Sequence, residues 1–343
     1  MHHPNNNPET NVLPNGLDEK QIIEAVRVSG YPLQTVIYEM LSKKFHIQEE
    51  WNFVDSDSNE ERAVDLLAQL GLYEFKELQP RIRPSLNLII ECKQSDMPYV
   101  FFLTKDKQYT PNFPVIAGLA SKEVSIKTDD DPSSWSFSIL QALELSAHPF
   151  LRESVLFANT FSKGARKGKK IELSGSQPYQ GLVKPLLKAV SYFEECEKPP
   201  ETAVYFDCHI TIPIAVIDGP MVGVKCSDSG NSIEMLPWVR IPRHQTSNKD
   251  ENYHLSNISA IDVIHKDYLE EYIDKHLLPF ATDLADLVLK HENVIADTKG
   301  FISGMGSEEW TDIEKRLEPR KIMHIGKRTG ATFSNILKVL KGH

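Results

Sequence analysis

The chain has 343 residues, 41% of them hydrophobic and 25% charged, with a formal net charge of −10. Those proportions are those of a globular protein with a real core, and no run approaches the ~20 apolar residues that a membrane-spanning helix requires. Bulk acidity excludes a protein that coats nucleic acid through overall charge, although a local basic patch can still bind it.

Residues 1–17 (MHHPNNNPETNVLPNGL) are polar and Asn/Pro-rich, lack the pattern of a signal peptide and are predicted to be disordered. Asp18 caps a predicted helix to about Val28, ended by Gly30-Tyr31-Pro32, and Leu33, Ile37, Met40, Leu41 and Phe45 recur at helical spacing. Residues 47–54 and 63–70 read as strands around the polar turn Asp55-Ser56-Asp57-Ser58-Asn59. Strands are also predicted at 86–93 (LNLIIECK) and 98–103 (PYVFFL). Residues 136–145 read as a helix, and Asp129-Asp130-Asp131-Pro132 before them as a solvated cap rather than a metal cluster.

Further along, 180–196 is a predicted helix with Pro185 in its first turns. Strand-like runs occupy 202–217, 221–225, 233–241 and 258–264, with 245–257 a polar connection, and 265–291 is helical with a break suggested by Pro279. Two basic stretches stand out. One is 163–170, with Lys163, Arg166, Lys167, Lys169 and Lys170; the other is the tail 311–343, rich in Lys and Arg. A solvated loop and a solvated helix face are the plain alternatives for both. Helices and strands intermix throughout, which predicts an α/β architecture. The organisation predicted is a core over 18–175, an α/β extension over 176–295 as part of the same domain, and a basic tail over 296–343. Cys92, Cys196, Cys208 and Cys226 show no CxxC spacing, which fits reduced thiols and a cytoplasmic location.

The chemistry centres on the strand 86–93. Side chains alternate, so Glu91 and Lys93 share a face at the end of an apolar run. Asp65 lies among Val64, Leu66 and Leu67, where an acid is costly unless paired or bound to a cation. If the two strands are neighbours, Asp65 and Glu91 converge on one hard cation such as Mg²⁺ or Mn²⁺, with Lys93 beside it. A metal, a polarised water and a cation are what phosphodiester hydrolysis needs. The plain alternatives are an Asp65 that caps a turn or pairs with Arg62, and an exposed Glu91–Lys93 cross-strand charge pair. Gln94 and Ser95 could touch phosphate, but such a serine more often serves its own turn. There is no GxxxxGK[ST] and no G-x-S-x-G, and His209 in an apolar strand reads as a core histidine.

The series SGYPLQ (29–34), RAVDLLA (62–68) and NLIIECKQSDMPYVFF (87–102) resembles bacterial members of the PD-(D/E)xK, or restriction-endonuclease-like, nuclease superfamily. The likeness covers roughly residues 29–104. It implies a restriction-endonuclease-like core, a mixed β-sheet flanked by helices, here with a large C-terminal α/β elaboration. It also implies Asp65, Glu91 and the Cys92 backbone carbonyl as ligands of Mg²⁺ or Mn²⁺, and Lys93 as the catalytic lysine. Relatives often carry a glutamate where this chain has Gln34; Glu39 is a substitute, and Ser95 a further accessory. Position 64 is Val rather than Pro. The expected activity is Mg²⁺-dependent hydrolysis of DNA in bacterial defence or repair, with RNA left open and a homodimer expected for cutting both strands. The rival expectations are an inactive module that binds nucleic acid or a partner protein, and a structural subunit with a coincidental motif.

Overall fold

In a computed structural model of the chain, residues 5–74, 79–131, 133–244, 258–304 and 310–319 are described. Residues 5–17 form turns and coil. The Asp18 carboxylate accepts the Gln21 N–H while the Gln21 side chain accepts the Asp18 N–H, a capping box that starts helix α1 (Glu19–Val28). Gly30, at a positive φ of 80°, turns the chain into α2 (Tyr31–Leu41), which buries Leu33, Gln34, Ile37 and Leu41. A hairpin of β1 (His46–Val54) and β2 (Glu61–Gly71) follows, then β3 (Ile82–Gln94), β4 (Tyr99–Leu103), β5 (Val115–Ala117), β6 (Glu123–Thr128) and β7 (Trp135–Ser138).

A second hairpin, β8 (Leu156–Lys167) and β9 (Lys170–Ser174), leads into α3 (Lys184–Cys196). Then come β10 (Phe206–Asp218), β11 (Met221–Ser227), β12 (Gly230–Met235), β13 (Trp238–His244), β14 (Ile258–His265), α4 (Leu278–Lys290), β15 (Lys299–Ile302) and β16 (Glu318–Pro319). Both α3 and α4 open with a π turn, Tyr179–Val183 and Ile273–Leu277. Each π turn lies just before a proline, Pro185 or Pro279. A proline cannot donate to the carbonyl four residues back and its ring crowds it, so the wider turn lets the helix run on. The expected break at Pro279 is this widening, not an interruption.

Twelve strands form one sheet in the order β1-β2-β3-β10-β14-β13-β8-β4-β11-β12, with β5 added to β10 and β9 to β8. Strand β10 runs parallel to β3 from Phe206↔Ile82 to Asp218↔Gln94. Stretches 18–175 and 176–295 therefore interleave their strands in a single sheet. Strands β3 and β10 are buried on both faces, as parallel interior strands are. Leu86, Leu88, Ile90 and the even-numbered apolar residues of β10 pack against α2 and α4. Ile89, Ala215 and Ile217 pack on the opposite face against α3. The result is a mixed sheet flanked by helices on both sides. No helix among the described residues is long and apolar enough to cross a membrane.

Three segments depart from the sequence reading. Residues 136–145 are not one helix: 135–138 pair with β6, and the helix is a single turn, Ile139–Ala142, started by a Ser138/Gln141 capping box. Residues 233–241 are two strands, β12 and β13, split at Leu236-Pro237, where proline has no N–H for a ladder. Residues 299–302 of the expected tail form β15, in a smaller sheet of order β16-β15-β6-β7. Lys315 there pairs with Asp312 at 2.6 Å. The connection 245–257 and the tail from 320 lie outside the described residues.

Candidate metal centre

The β1–β2 hairpin exchanges its faces at one point. Ile47, Leu66 and Ala68 belong to the core under α2, whereas Trp51, Phe53 and Val64 pack with α3. The crossover falls at Glu50, which holds a positive φ of 47°, and at Asp65, the two residues left unpaired between the registered pairs Glu49↔Leu66 and Trp51↔Val64. There β2 also leaves β3, whose last registered pair with it is Leu66↔Ile90. The edge of β3 opened by this parting is taken by a side chain: Asp65 Oδ2 accepts the Cys92 N–H at 2.6 Å. In an extended strand a residue's N–H and C=O point to the same edge, so the Cys92 carbonyl faces the same opening.

Glu91 and Lys93 project on the α3 side of β3. Glu91 is 7% exposed; its Oε1 is paired with the Lys93 ammonium, while Oε2 is buried with no hydrogen-bond partner. Burial pushes the Glu91 carboxyl up to about 7, against the pull of Lys93 and with help from Asp65 and Glu50. Burial likewise raises Asp65, with the Cys92 N–H and Lys93 opposing and Glu50 adding to the rise. Lys93 is raised as well: burial opposes this, but Glu91 and Asp65 outweigh it and keep it an ammonium. The Cys92 thiol is held up by burial and the two acids, so it is a packing group rather than a nucleophile.

Gln34 reaches this cluster from α2. Its Nε2 donates to Glu50 Oε1 at 3.1 Å and to the Asp65 carbonyl at 3.2 Å. A carboxylate at position 34 could make neither bond, so the amide at this position has a structural use here. Sequence reasoning missed Glu50. Its place beside Asp65 comes from the tertiary pairing of the β1–β2 hairpin, where both residues fall between Glu49↔Leu66 and Trp51↔Val64. For a metal centre at Asp65 and Glu91, replacing Gln34 with Ala, which frees the Asp65 backbone and Glu50 but no ligating oxygen, is expected to lower Mn²⁺ affinity by roughly 10-fold at most. Unchanged affinity by calorimetry would leave Gln34 as a packing residue only.

Other candidates are not brought in. Glu39 is exposed and, five residues beyond Gln34, lies about 140° around the helix from it. Ser95 Oγ donates to the Met97 carbonyl at 2.9 Å and accepts the Met97 N–H, so it serves its own turn. Arg62 pairs with Asp55 at 3.1 Å, not with Asp65. Asp129 accepts the Gly304 N–H and Asp131 the Ser133 N–H. Lys163, Arg166, Lys167, Lys169 and Lys170 lie on the β8–β9 hairpin.

The donor set fits a hard divalent cation: the carboxylates of Asp65 and Glu91, the latter with its buried Oε2 unpartnered, and the Cys92 carbonyl. Among the described residues no group of three or more His, Cys, Asp or Glu is placed to hold a metal. Magnesium suits such a two-carboxylate site, because it retains several waters and takes few protein ligands. The same geometry sets a pH dependence. Glu91 titrates near 7 in the folded chain against an ordinary 4.5, so the stability linked to its protonation is complete below 4.5 and is lost as pH rises through 7. The loss is about 3 kcal/mol. Urea unfolding in EDTA should show wild type falling relative to Glu91→Gln between pH 5 and 8.5; parallel profiles would count against a protonated Glu91. Compared with protein-family models, with curated proteins and with solved structures, the chain matches none of them.

Proposed function

We propose that the chain is a nuclease of the PD-(D/E)xK type that hydrolyses phosphodiester bonds of DNA with Mg²⁺ or Mn²⁺. The observation that supports this best is the meeting of Asp65, Glu91 and Lys93 where β2 parts from β3, with a buried Glu91 oxygen left without a partner. Asp65, Glu91 and the Cys92 carbonyl would hold the ion, which supplies Lewis acidity toward the scissile phosphate. Lys93 takes two roles. It neutralises Glu91, and it would be the cation that binds a phosphate oxygen and stabilises the charge that builds up there. Asp65, fixed by the Cys92 N–H, orients the site. Burial of Glu91 keeps competing solvent away from its inner oxygen.

The test is incubation of supercoiled, linear and single-stranded DNA with the protein and Mg²⁺ or Mn²⁺. Cleavage that stops in EDTA is the expected result. A second reading is a catalytically silent module that binds nucleic acid. The Lys93–Glu91 ion pair favours it, since the ammonium occupies one of the oxygens a metal needs. It predicts binding without cleavage and no Asp65-dependent affinity for Mn²⁺.

A further inference from the structure

The β8–β9 hairpin has a structure its basic sequence alone does not suggest. It is a two-stranded ribbon paired from Lys163↔Ser174 to Lys167↔Lys170 and closed by a two-residue turn, Gly168-Lys169, with Gly168 at a φ of 61°. Its base is fixed. The Gly164 N–H donates to the Pro98 carbonyl at 2.8 Å, and a Cβ at Gly164 would stand 3.2 Å from the Pro98 ring. Beyond Gly164 both strands are exposed, including Ile171 at 59% and Leu173 at 50%. A bare ribbon with two solvated faces has little stability of its own, so its length outside the core calls for a use.

Its base adjoins the metal centre. Lys163 sits over the Tyr99 ring, 5.4 Å from the centroid, and Tyr99 in turn feels the Lys93 ammonium, which counters the upward push of burial on its hydroxyl. Alternation then places Lys163, Lys167 and Lys170 on one ribbon face, leading away from Lys93. Residues 163–174 carry five cations and a single acid, Glu172, in a chain of net charge −10; Glu172 is paired with Lys167 at 3.1 Å. The opposite face combines Arg166 with Ile171 and Leu173.

We propose that this ribbon is the grip for double-stranded DNA, entering the major groove while its lysine row meets phosphates beside the Asp65 centre. The B-form major groove, about 12 Å wide, admits a two-stranded ribbon, and arginine with apolar side chains reads its base edges and thymine methyls. The deep, narrow major groove of A-form RNA does not admit one. Single strands are gripped by aromatic platforms, and no aromatic residue occurs from 163 to 174. The inference rests on the nuclease reading for what happens at Asp65, but the binding it predicts does not require cleavage.

The test is fluorescence anisotropy in EDTA with a labelled DNA duplex, one of its single strands and the matching RNA duplex. Wild type is compared with the triple variant Lys167→Ala, Lys169→Ala, Lys170→Ala, whose side chains are exposed. Wild type should prefer the DNA duplex by at least about tenfold. The triple variant should bind it roughly 10–100-fold more weakly, with the salt dependence of log K reduced by about 2 to 3. Equal duplex affinity of variant and wild type, preference for single strands or RNA, or no binding by wild type would overturn the proposal. Mn²⁺ titration of both proteins separates the two claims. Duplex binding that is lost in the variant, with no Mn²⁺ binding in either protein, would sink the nuclease reading and leave the grip standing.

Discussion

Asp65→Asn, Glu91→Gln and Lys93→Met are each expected to lower metal-dependent DNA cleavage roughly 1000-fold, about 4 kcal/mol of transition-state stabilisation. Each substitution keeps the local shape. Asparagine at 65 can still accept the Cys92 N–H, glutamine at 91 can still accept from Lys93, and methionine preserves the packing of the Lys93 stem. What is lost is charge: that of a proposed ligand in the first two cases, and that of the proposed phosphate-binding cation in the third. Because the three groups act as one unit, double substitutions should cost little more than single ones. Cleavage assays under single-turnover conditions check both points. Retained cleavage in all three variants would place the activity elsewhere in the chain.

The second large effect concerns folding. Arg240 is fully buried and makes a bidentate pair with Asp262, at 2.7 and 2.8 Å, and donates to the Phe150 and Leu151 carbonyls at 3.0 and 3.2 Å. Tyr272 donates to the same carboxylate at 2.8 Å, and the guanidinium lies 4.1 Å from the Phe113 ring centroid. The members of this buried network satisfy one another. Removing one partner leaves an uncompensated buried charge, so Arg240→Met should lose about 3–5 kcal/mol in urea unfolding. The triple variant Arg240→Met, Asp262→Leu, Tyr272→Phe should recover much of that, because no orphaned charge or hydroxyl then remains. A single variant as stable as wild type would contradict the picture, as would a triple variant less stable than the single.

The residues around the proposed centre were legible to different degrees, for physical reasons. Strand β3 declares itself by an apolar run whose alternation puts Glu91 and Lys93 on one face, and the hairpin before it is marked by a polar turn between two apolar runs. Asp65 stands out because an acid within such a run needs a partner; the partner turns out to be a backbone N–H released by the parting of two strands. That parting is a tertiary event, and so is the positive φ of Glu50, so neither shows in local pattern. The use of Gln34 as a double donor was equally hidden, since it depends on Glu50. Long-range pairing was unreadable too. Strand β10 joins β3 across more than a hundred residues, and the smaller sheet gathers β6, β7, β15 and β16 from distant segments. The helix expected over 136–145 failed because Trp135 and Phe137 face Trp310, with ring centroids 5.6 and 4.9 Å away, contacts that favour a strand where local spacing suggests a helix. The split at Leu236-Pro237, by contrast, was readable from proline chemistry alone.

The most direct test of the centre needs no substrate: calorimetric titration of Mn²⁺ at pH 8 into wild type and Glu91→Gln. At that pH Glu91, which titrates near 7, is mostly ionised and ready to bind. One site in wild type, lost in Glu91→Gln and weakened as the pH falls below 7, is the predicted result. Identical Mn²⁺ binding by the two proteins, or none by either, would contradict a metal centre built on Asp65 and Glu91.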